Sequence, residues 1–130
     1  MNRSRAGFTL IELTIVVVII AILAAVGIPK FMYTKSKGYS AAARSDLRNL
    51  VTAEESYFSV HGVYSADLNL LGARSSNGVV IAFGTTDGSG WSAKAVHPAA
   101  NPLVCAIYFG SDAHQLAPAT EEGHMVCTTP

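Results

Sequence analysis

The chain has 130 residues, of which 50% are hydrophobic and 14% are charged, and its 9 Lys and Arg residues balance 9 Asp and Glu residues. This length suits one domain with a modest core and is too short for a large enzyme with a deep cleft. A formal net charge of zero excludes the strong basic field of a dedicated nucleic-acid-binding protein. Much of the hydrophobic excess lies near the N-terminus, and the rest resembles an ordinary soluble domain.

The first apolar segment of the chain covers residues 8–28 and contains one charged side chain, Glu12. At ~1.5 Å per residue, a helix of this length reaches about 31 Å, close to the thickness of the hydrocarbon core of a bilayer. A basic stretch with Arg3 and Arg5 precedes the segment, as in export signals. The sequence therefore predicts a segment that can cross a membrane.

Two cleavage positions fit this N-terminus. Cleavage after the apolar run, near Ala25 and Gly27, would release a mature domain behind a conventional signal peptide. The run is longer than a usual signal core of ~7 to 15 residues, however, and it contains Glu12. Cleavage between Gly7 and Phe8 instead creates a free α-amino group one helical turn before the glutamate. Because a carboxylate in lipid needs a partner, we expect this amine to pair with Glu12, best between neighbouring helices packed with an axial stagger.

A short basic leader ends in Gly7 and is followed by FTLIELTIVVVIIAILAAVGIP, an aliphatic run that reaches Pro29. This pattern closely resembles the class III signal and N-terminal helix of type IV pilins and type II secretion pseudopilins. The resemblance implies that a prepilin peptidase cuts after Gly7 and N-methylates the new N-terminal residue, Phe8. It also implies that Glu12 is needed for assembly.

Helical spacing continues beyond the apolar segment, through residues 30–60. One face of this stretch is predicted to hold Ala43, Leu47, Leu50, Val51, Glu54 and Phe58. The spacing predicts an amphipathic helix that lies on a sheet. Together with the membrane segment it makes one helix of about 50 residues, with a kink at Gly27 and Pro29, because proline removes a backbone hydrogen bond. The alternative is a helix that ends at Ile28.

The second half of the chain has the pattern of a small sheet. Residues 61–78 are rich in turn formers and predict a connecting loop. Short β-like runs follow at 79–83, 91–97, 104–109 and 125–128. They predict an antiparallel meander packed on the helix, an α+β fold, and this layout is similar to the pilin fold. The predicted organisation is a cleaved leader at 1–7, a transmembrane or filament-core helix at 8–29, and a head domain at 30–130 whose sheet occupies 79–130.

The two cysteines, Cys105 and Cys127, are far from CxxC spacing. In an exported protein such a pair favours one disulfide, which would join the third strand to the last. Two free thiols in a cytosolic core, or a zinc site shared with His124, are the alternatives. Cations flank the apolar segment on both sides, so their count does not set its orientation in the membrane. A disulfide needs an oxidising compartment, and the expected disulfide therefore indicates that the leader is inside the cell and the domain outside.

The sequence contains no phosphate-binding glycine loop, no GxSxG elbow and no EF-hand spacing. We therefore expect no catalytic residues, no cofactor and no metal. A basic cluster contains Lys30, Lys35, Lys37, Arg44 and Arg48. Because aromatic residues are not interleaved with it, it favours a solvated helix face, or ion pairs between subunits with acids such as Asp46 and Glu55, over a nucleic-acid site. Some relatives of the resembled family take part in DNA uptake, so nucleic acid stays a second option.

Together these features predict a structural subunit, the major pilin of a type IV pilus-like surface filament. The precursor would cross the bacterial cytoplasmic membrane once, meet prepilin peptidase, and enter a helical homopolymer through a pilus or type II secretion assembly machinery. Adhesion, motility or secretion would then come from the extracellular polymer. A type II secretion major pseudopilin is the alternative within the family. Outside the family, the alternative is a small secreted binding module with a conventional signal peptide.

Overall fold

The computed structural model describes residues 7–100 and 103–128. Its longest element is α1, Leu10–His61, a helix of 52 residues. The chain divides into two compact units, Met1–Lys35 and Ser36–Pro130, and α1 contributes residues to both. The first unit consists of the apolar part of α1 and the residues before it. The second contains the rest of α1 and all the strands.

Pro29 lies inside α1, which continues through it without interruption. Proline lacks a backbone N–H and costs ~3 kcal/mol in a helix interior, so the flanking turns must maintain the helical conformation. The alternative in which the helix ends at Ile28 is therefore wrong. A kink at Gly27 and Pro29 stays a prediction.

The end of α1 is set by a glycine. Gly62 has a φ of 70°, in the left-handed region that glycine adopts without strain, and its N–H donates to the Phe58 carbonyl at 2.8 Å. The predicted inward face of the helix is buried or half-buried at every position: Ala43, Leu47, Leu50, Val51, Glu54 and Phe58. The amphipathic pattern therefore identified the packed face.

An antiparallel sheet follows the helix, with its strands in the order β1-β2-β3-β4. The strands are β1 Val80–Thr86, β2 Trp91–Val96, β3 Val104–Phe109 and β4 Val126–Cys127. The predicted α+β fold, a long helix with an antiparallel meander, is confirmed. β4 is shorter than predicted because it pairs with β3 at only two positions, Cys105 with Cys127 and Ala106 with Val126.

The core of the second unit lies between α1 and the sheet. Trp91, Ala93 and Ala95 alternate along β2 and are fully buried, in one cluster with Leu47 and Leu50 of α1. Alternate residues of a strand point to the same face, so these three side chains face the helix. The two small alanines allow the helix to lie close to the sheet.

Two buried carboxylates of α1 hold the connecting loop. Asp46 accepts hydrogen bonds from the N–H and the hydroxyl of Ser76, each at 2.7 Å. Glu54 accepts the N–H of Ser65 through Oε2 at 3.1 Å. Because Asp46 is only 4% exposed and both its oxygens are occupied, the expectation that it pairs with a cation of a neighbouring subunit is wrong.

Candidate functional site

The first turn of α1 is organised by Thr9 and Glu12. The Thr9 backbone N–H and hydroxyl both donate to Glu12 Oε2, at 2.9 and 2.7 Å. In return, the Glu12 N–H donates to Thr9 Oγ1 at 3.3 Å. This is a capping box, in which a threonine before the first turn and a glutamate three residues later satisfy free N–H groups of the helix start. The pair therefore fixes where the helix begins.

The capping box uses one of the two carboxylate oxygens of Glu12. Both bonds from Thr9 reach Oε2, and within residues 7–100 and 103–128 no donor reaches Oε1. The carboxylate also lies in the first turn, where the helix dipole favours negative charge. The arrangement can therefore hold the glutamate in place and still accept a further donor, such as an ammonium group, at Oε1.

Apolar side chains surround this site on every side of the helix. Phe8 is 78% exposed and Leu10 is 84% exposed, and exposed aliphatic side chains continue to Ile28. Helix α1 contains an 18-residue window with a mean hydropathy of 2.9 and no buried residue, so it is long and apolar enough to cross a membrane. A helix that is apolar all round belongs in lipid or in a protein core. Glu12 thus lies on a surface suited to burial in one of these environments.

The predicted processing residues lie next to this capping box. Gly7 and Phe8 directly precede it and are exposed, and the bond between them lies outside the helix. Residues 1–6, which make up most of the predicted leader, lie outside the described residues. Gly27 and Pro29 are inside α1, more than four turns away, so the structure does not bring them to the site.

The two cysteines form a different feature, a disulfide between β3 and β4. Because each sulfur is bonded to the other, neither the free-thiol alternative nor the zinc site with His124 describes this structure. In the part of the chain that the structure describes, no three His, Cys, Asp or Glu side chains converge as metal ligands. The disulfide therefore has a structural role, closing the segment between Cys105 and Cys127.

The capping role of Thr9 is absent from the sequence-based predictions, although its signal is local. Thr-x-x-Glu ahead of an apolar run is the usual pattern of a capping box, and TLIE at 9–12 fits it. The roles of Asp46 and Glu54 have no comparable signal. Their partners, Ser76 and Ser65, lie 30 and 11 residues further along the chain and meet them only in the folded domain.

Comparison with known proteins identifies a motif in this same N-terminal segment. Residues 2–28 match the family model described as the prokaryotic N-terminal methylation motif. The chain is 45% identical over 71 residues to the type IV major pilin protein PilA of Myxococcus xanthus, which covers 55% of this chain and 32% of PilA. It is 38% identical over 93 residues to the prepilin peptidase-dependent protein A of Clostridium perfringens, which covers 70% of this chain and 64% of that protein.

A secretion protein is similar as well: the type II secretion system core protein G of Pseudomonas aeruginosa is 38% identical over 56 residues, 43% of this chain and 39% of protein G. The chain matches the N-terminal methylation motif and is similar to type IV pilins and to a type II secretion system core protein. The chain aligns with between 32% and 64% of the length of these three relatives. The family model matches the N-terminal segment that holds Phe8 and Glu12.

Proposed function

We propose that this chain is the structural subunit of a type IV pilus-like filament, made first as a membrane-anchored prepilin. The observation that carries the proposal is Glu12, a capped carboxylate one turn into a helix that is apolar on every side. The match of residues 2–28 to the N-terminal methylation motif supports it. The three relatives are named as a pilin, a prepilin peptidase-dependent protein and a secretion core protein. Since none of these names describes a catalytic activity, we propose no catalytic site for this chain.

The first step is processing. Prepilin peptidase cuts between Gly7 and Phe8 and N-methylates Phe8. The bond lies ahead of Thr9, so cleavage leaves the capping box intact and the Thr9 N–H remains an amide donor to Glu12. The new Phe8 amine keeps its positive charge after methylation. Processing therefore yields a helix with an ammonium group at its start and a carboxylate one turn later.

Assembly then moves the apolar helix from lipid into a bundle of identical helices. Glu12 Oε1 accepts a hydrogen bond from the Phe8 amine of the next subunit, which neutralises both charges inside the bundle. A buried pair of this kind fixes the axial register, because a shifted register would leave two uncompensated charges. A kink at Gly27 and Pro29 would let neighbouring helices adjust their packing.

The proposed domain organisation follows from these steps. Residues 1–7 are the leader, residues 8–29 anchor the precursor in the cytoplasmic membrane and later form the filament core, and residues 30–130 form a head outside the cell. The disulfide between Cys105 and Cys127 suits this oxidising location. The partners are other copies of the chain, the membrane, prepilin peptidase and a pilus or type II secretion assembly machinery.

A type II secretion major pseudopilin is the second candidate, and the similarity to protein G favours it. The segment closed by the disulfide favours a major pilin, because such a C-terminal loop is commoner among pilins. A small secreted binding module would need a mature N-terminus near residue 28 and would lose Glu12. If the filament takes part in DNA uptake, the basic cluster is the surface that would bind nucleic acid.

Electron microscopy of the host with a gold-labelled antibody to the head tests the proposal. A major pilin predicts long surface filaments labelled along their length, which disappear when the gene is deleted. A pseudopilin predicts no long filaments at normal expression and a secretion defect on deletion. Label found only on a soluble monomer in the medium would contradict both and favour the secreted module.

A further inference from the structure

A cleft of about 460 Å³ lies in the second unit, between α1 and the sheet. Arg44 and Arg48, one turn apart on α1, form its helix side. Its floor is apolar, with Ile107 and Phe109 from β3 and Met125 from just before β4. We call this feature the arginine cleft. Cations above an apolar floor suit an occupant that has both an apolar side chain and a carboxylate.

The two arginines of the arginine cleft form no ion pair with the described residues of the chain. Arg44 and Arg48 are exposed, and neither forms an ion pair or a hydrogen bond through its side chain with any residue of 7–100 or 103–128. Glu122, in the loop beside the cleft, accepts the Gly110 N–H through Oε1 at 2.7 Å and forms no ion pair with either arginine. The cleft is therefore available to an acidic group from elsewhere.

The same chain presents a matching group in the loop that follows α1. Among the described residues of the second unit, four large apolar side chains are exposed: Val60, Val63, Leu70 and Val80. Leu70, which is 63% exposed, is the one with an acid within three residues, Asp67. The Leu71 N–H donates to the Asp67 carbonyl at 3.1 Å, and the Asn69 N–H donates to Asp67 Oδ1 at 2.8 Å. Residues 67–70, which we call the Leu70 turn, are thus held in shape before any contact is made.

We propose that the arginine cleft of one subunit docks the Leu70 turn of a second copy. Leu70 enters the apolar floor, and the carboxylate of Asp67 accepts hydrogen bonds from the guanidinium group of Arg48. Arg–carboxylate pairs are among the stronger charged hydrogen bonds, and arginine is enriched among the residues that dominate binding at interfaces. The contact joins two different surfaces of identical subunits, so its repetition builds a ring or an open helical chain of copies. The inference rests on the proposed function in that it takes the partner to be another copy of this chain.

Zero-length cross-linking of the full chain in host membranes and in sheared filaments tests the proposal. Carbodiimide joins a carboxyl to an amine only when they touch, and arginine does not react. The Arg48→Lys variant keeps the charge and supplies the amine, while the natural arginine is the matched control. Cells are switched from ordinary to heavy-nitrogen medium midway through expression, so that their membranes hold both forms, and mass spectrometry identifies peptides joined between the two forms.

We expect a cross-link from position 48 of one copy to Asp67 of another. In the Arg48→Lys background, Leu70→Ala and Arg44→Glu should each lower its yield by about tenfold, as expected for loss of an apolar anchor or reversal of a charge. Lys94→Glu, which changes an exposed cation on β2 outside the cleft, should leave the yield unchanged.

Three results would overturn the proposal. The first is that position 48 forms no cross-link, and the second is that it cross-links only within one copy or only to another acid such as Glu121. The third is that Leu70→Ala leaves the yield of the cross-link unchanged. The membrane sample separates this inference from the proposed function. If wild-type cells have no filaments, the proposed function is wrong. A cross-link found in their membranes would still support docking between copies.

Discussion

Thr9 and Glu12 hold each other through three hydrogen bonds, yet both donors from Thr9 reach the same carboxylate oxygen. The position of the Glu12 side chain is therefore set within its own chain, while its second oxygen is left for a neighbour. Glu12 therefore has a capping role in this structure and, as we propose, a separate role in neutralising the charge of a neighbouring subunit. Substitutions can remove either role alone.

Glu12→Gln removes the charge and keeps the cap, since glutamine also serves at the third position of a capping box. We expect normal membrane insertion and a loss of filament yield of at least about tenfold, because the Phe8 amine would enter the bundle without a counter-charge. Shearing and pelleting measure the filaments, and membrane fractionation measures insertion. Normal filament yield from Glu12→Gln, or from Glu12→Ala, would contradict the role in register.

Thr9→Ala makes the opposite change, because it keeps the charge of Glu12 and removes the side chain of the cap. Loss of a threonine cap costs ~1 kcal/mol, which corresponds to about a fivefold effect on an equilibrium. We expect filaments to form at a yield reduced by no more than about fivefold in the same shearing assay. A complete loss, equal to that of Glu12→Gln, would show that capping itself is the essential role.

Glu54 makes the stability of the head depend on pH. Burial raises the pKa of Glu54 to about 6 from an ordinary value of 4.5, although the hydrogen bond accepted from Ser65 opposes the shift. The folded chain therefore binds this proton more tightly than the unfolded chain does. The resulting stabilisation is fully present below pH 4.5 and is lost as the pH rises through 6, and it amounts to at most about 2 kcal/mol.

Urea unfolding of the full chain in detergent, followed by the fluorescence of Trp91, measures this effect. Trp91 is fully buried and is the single tryptophan of the sequence, so its fluorescence emission reports on the folding of the head. In the wild type, the free energy of unfolding should rise as the pH falls from 6 to 4.5, the window given by the two pKa values. We expect Glu54→Gln to remove this rise. Glu55→Gln, at the exposed neighbouring position, should keep most of the rise, because the charge of Glu55 is the smallest of the causes that act on the pKa of Glu54. Equal slopes for wild type and Glu54→Gln would contradict the assignment.

Asp46 ties the connecting loop to the helix more strongly than a single contact would. Asp46→Ala removes two hydrogen bonds to a carboxylate and should lower the free energy of unfolding by about 3 kcal/mol. Ser76→Ala, the matched variant, removes one of the two and should cost about 1 kcal/mol. The same Trp91 assay distinguishes them. If Asp46→Ala costs no more than Ser76→Ala, the loop is held by other contacts.

The disulfide should stabilise the head chiefly by restricting the unfolded chain. Cys105 and Cys127 are 22 residues apart, and closing a loop of this size is worth on the order of 3 kcal/mol. We expect the double variant Cys105→Ser, Cys127→Ser to lose that amount in urea unfolding, and a reducing agent to have the same effect on wild type. A reducing agent that further destabilised the double variant would indicate a different cause.

Local periodicity was enough to predict α1 and the strands, because helices and strands impose different spacings on apolar residues. Helix α1 continues through Pro29 because regular helical turns lie on both sides of the proline. The helical spacing of residues 30–60 also indicated this continuation. The buried contacts of Asp46 and Glu54 could not be predicted, since they depend on where a distant loop settles on the helix. Thr9 differs from these, because its capping pattern was present in the sequence.

The N-terminal mass of the mature protein, purified from its native host, tests the central claim most directly. The account predicts a chain that begins at Phe8 and carries one added methyl group. Such a chain would retain Thr9 and Glu12 next to the new amine, as the proposed register contact requires. A mature chain that begins near Ile28 would contradict the account, because the glutamate would be removed before any filament could form.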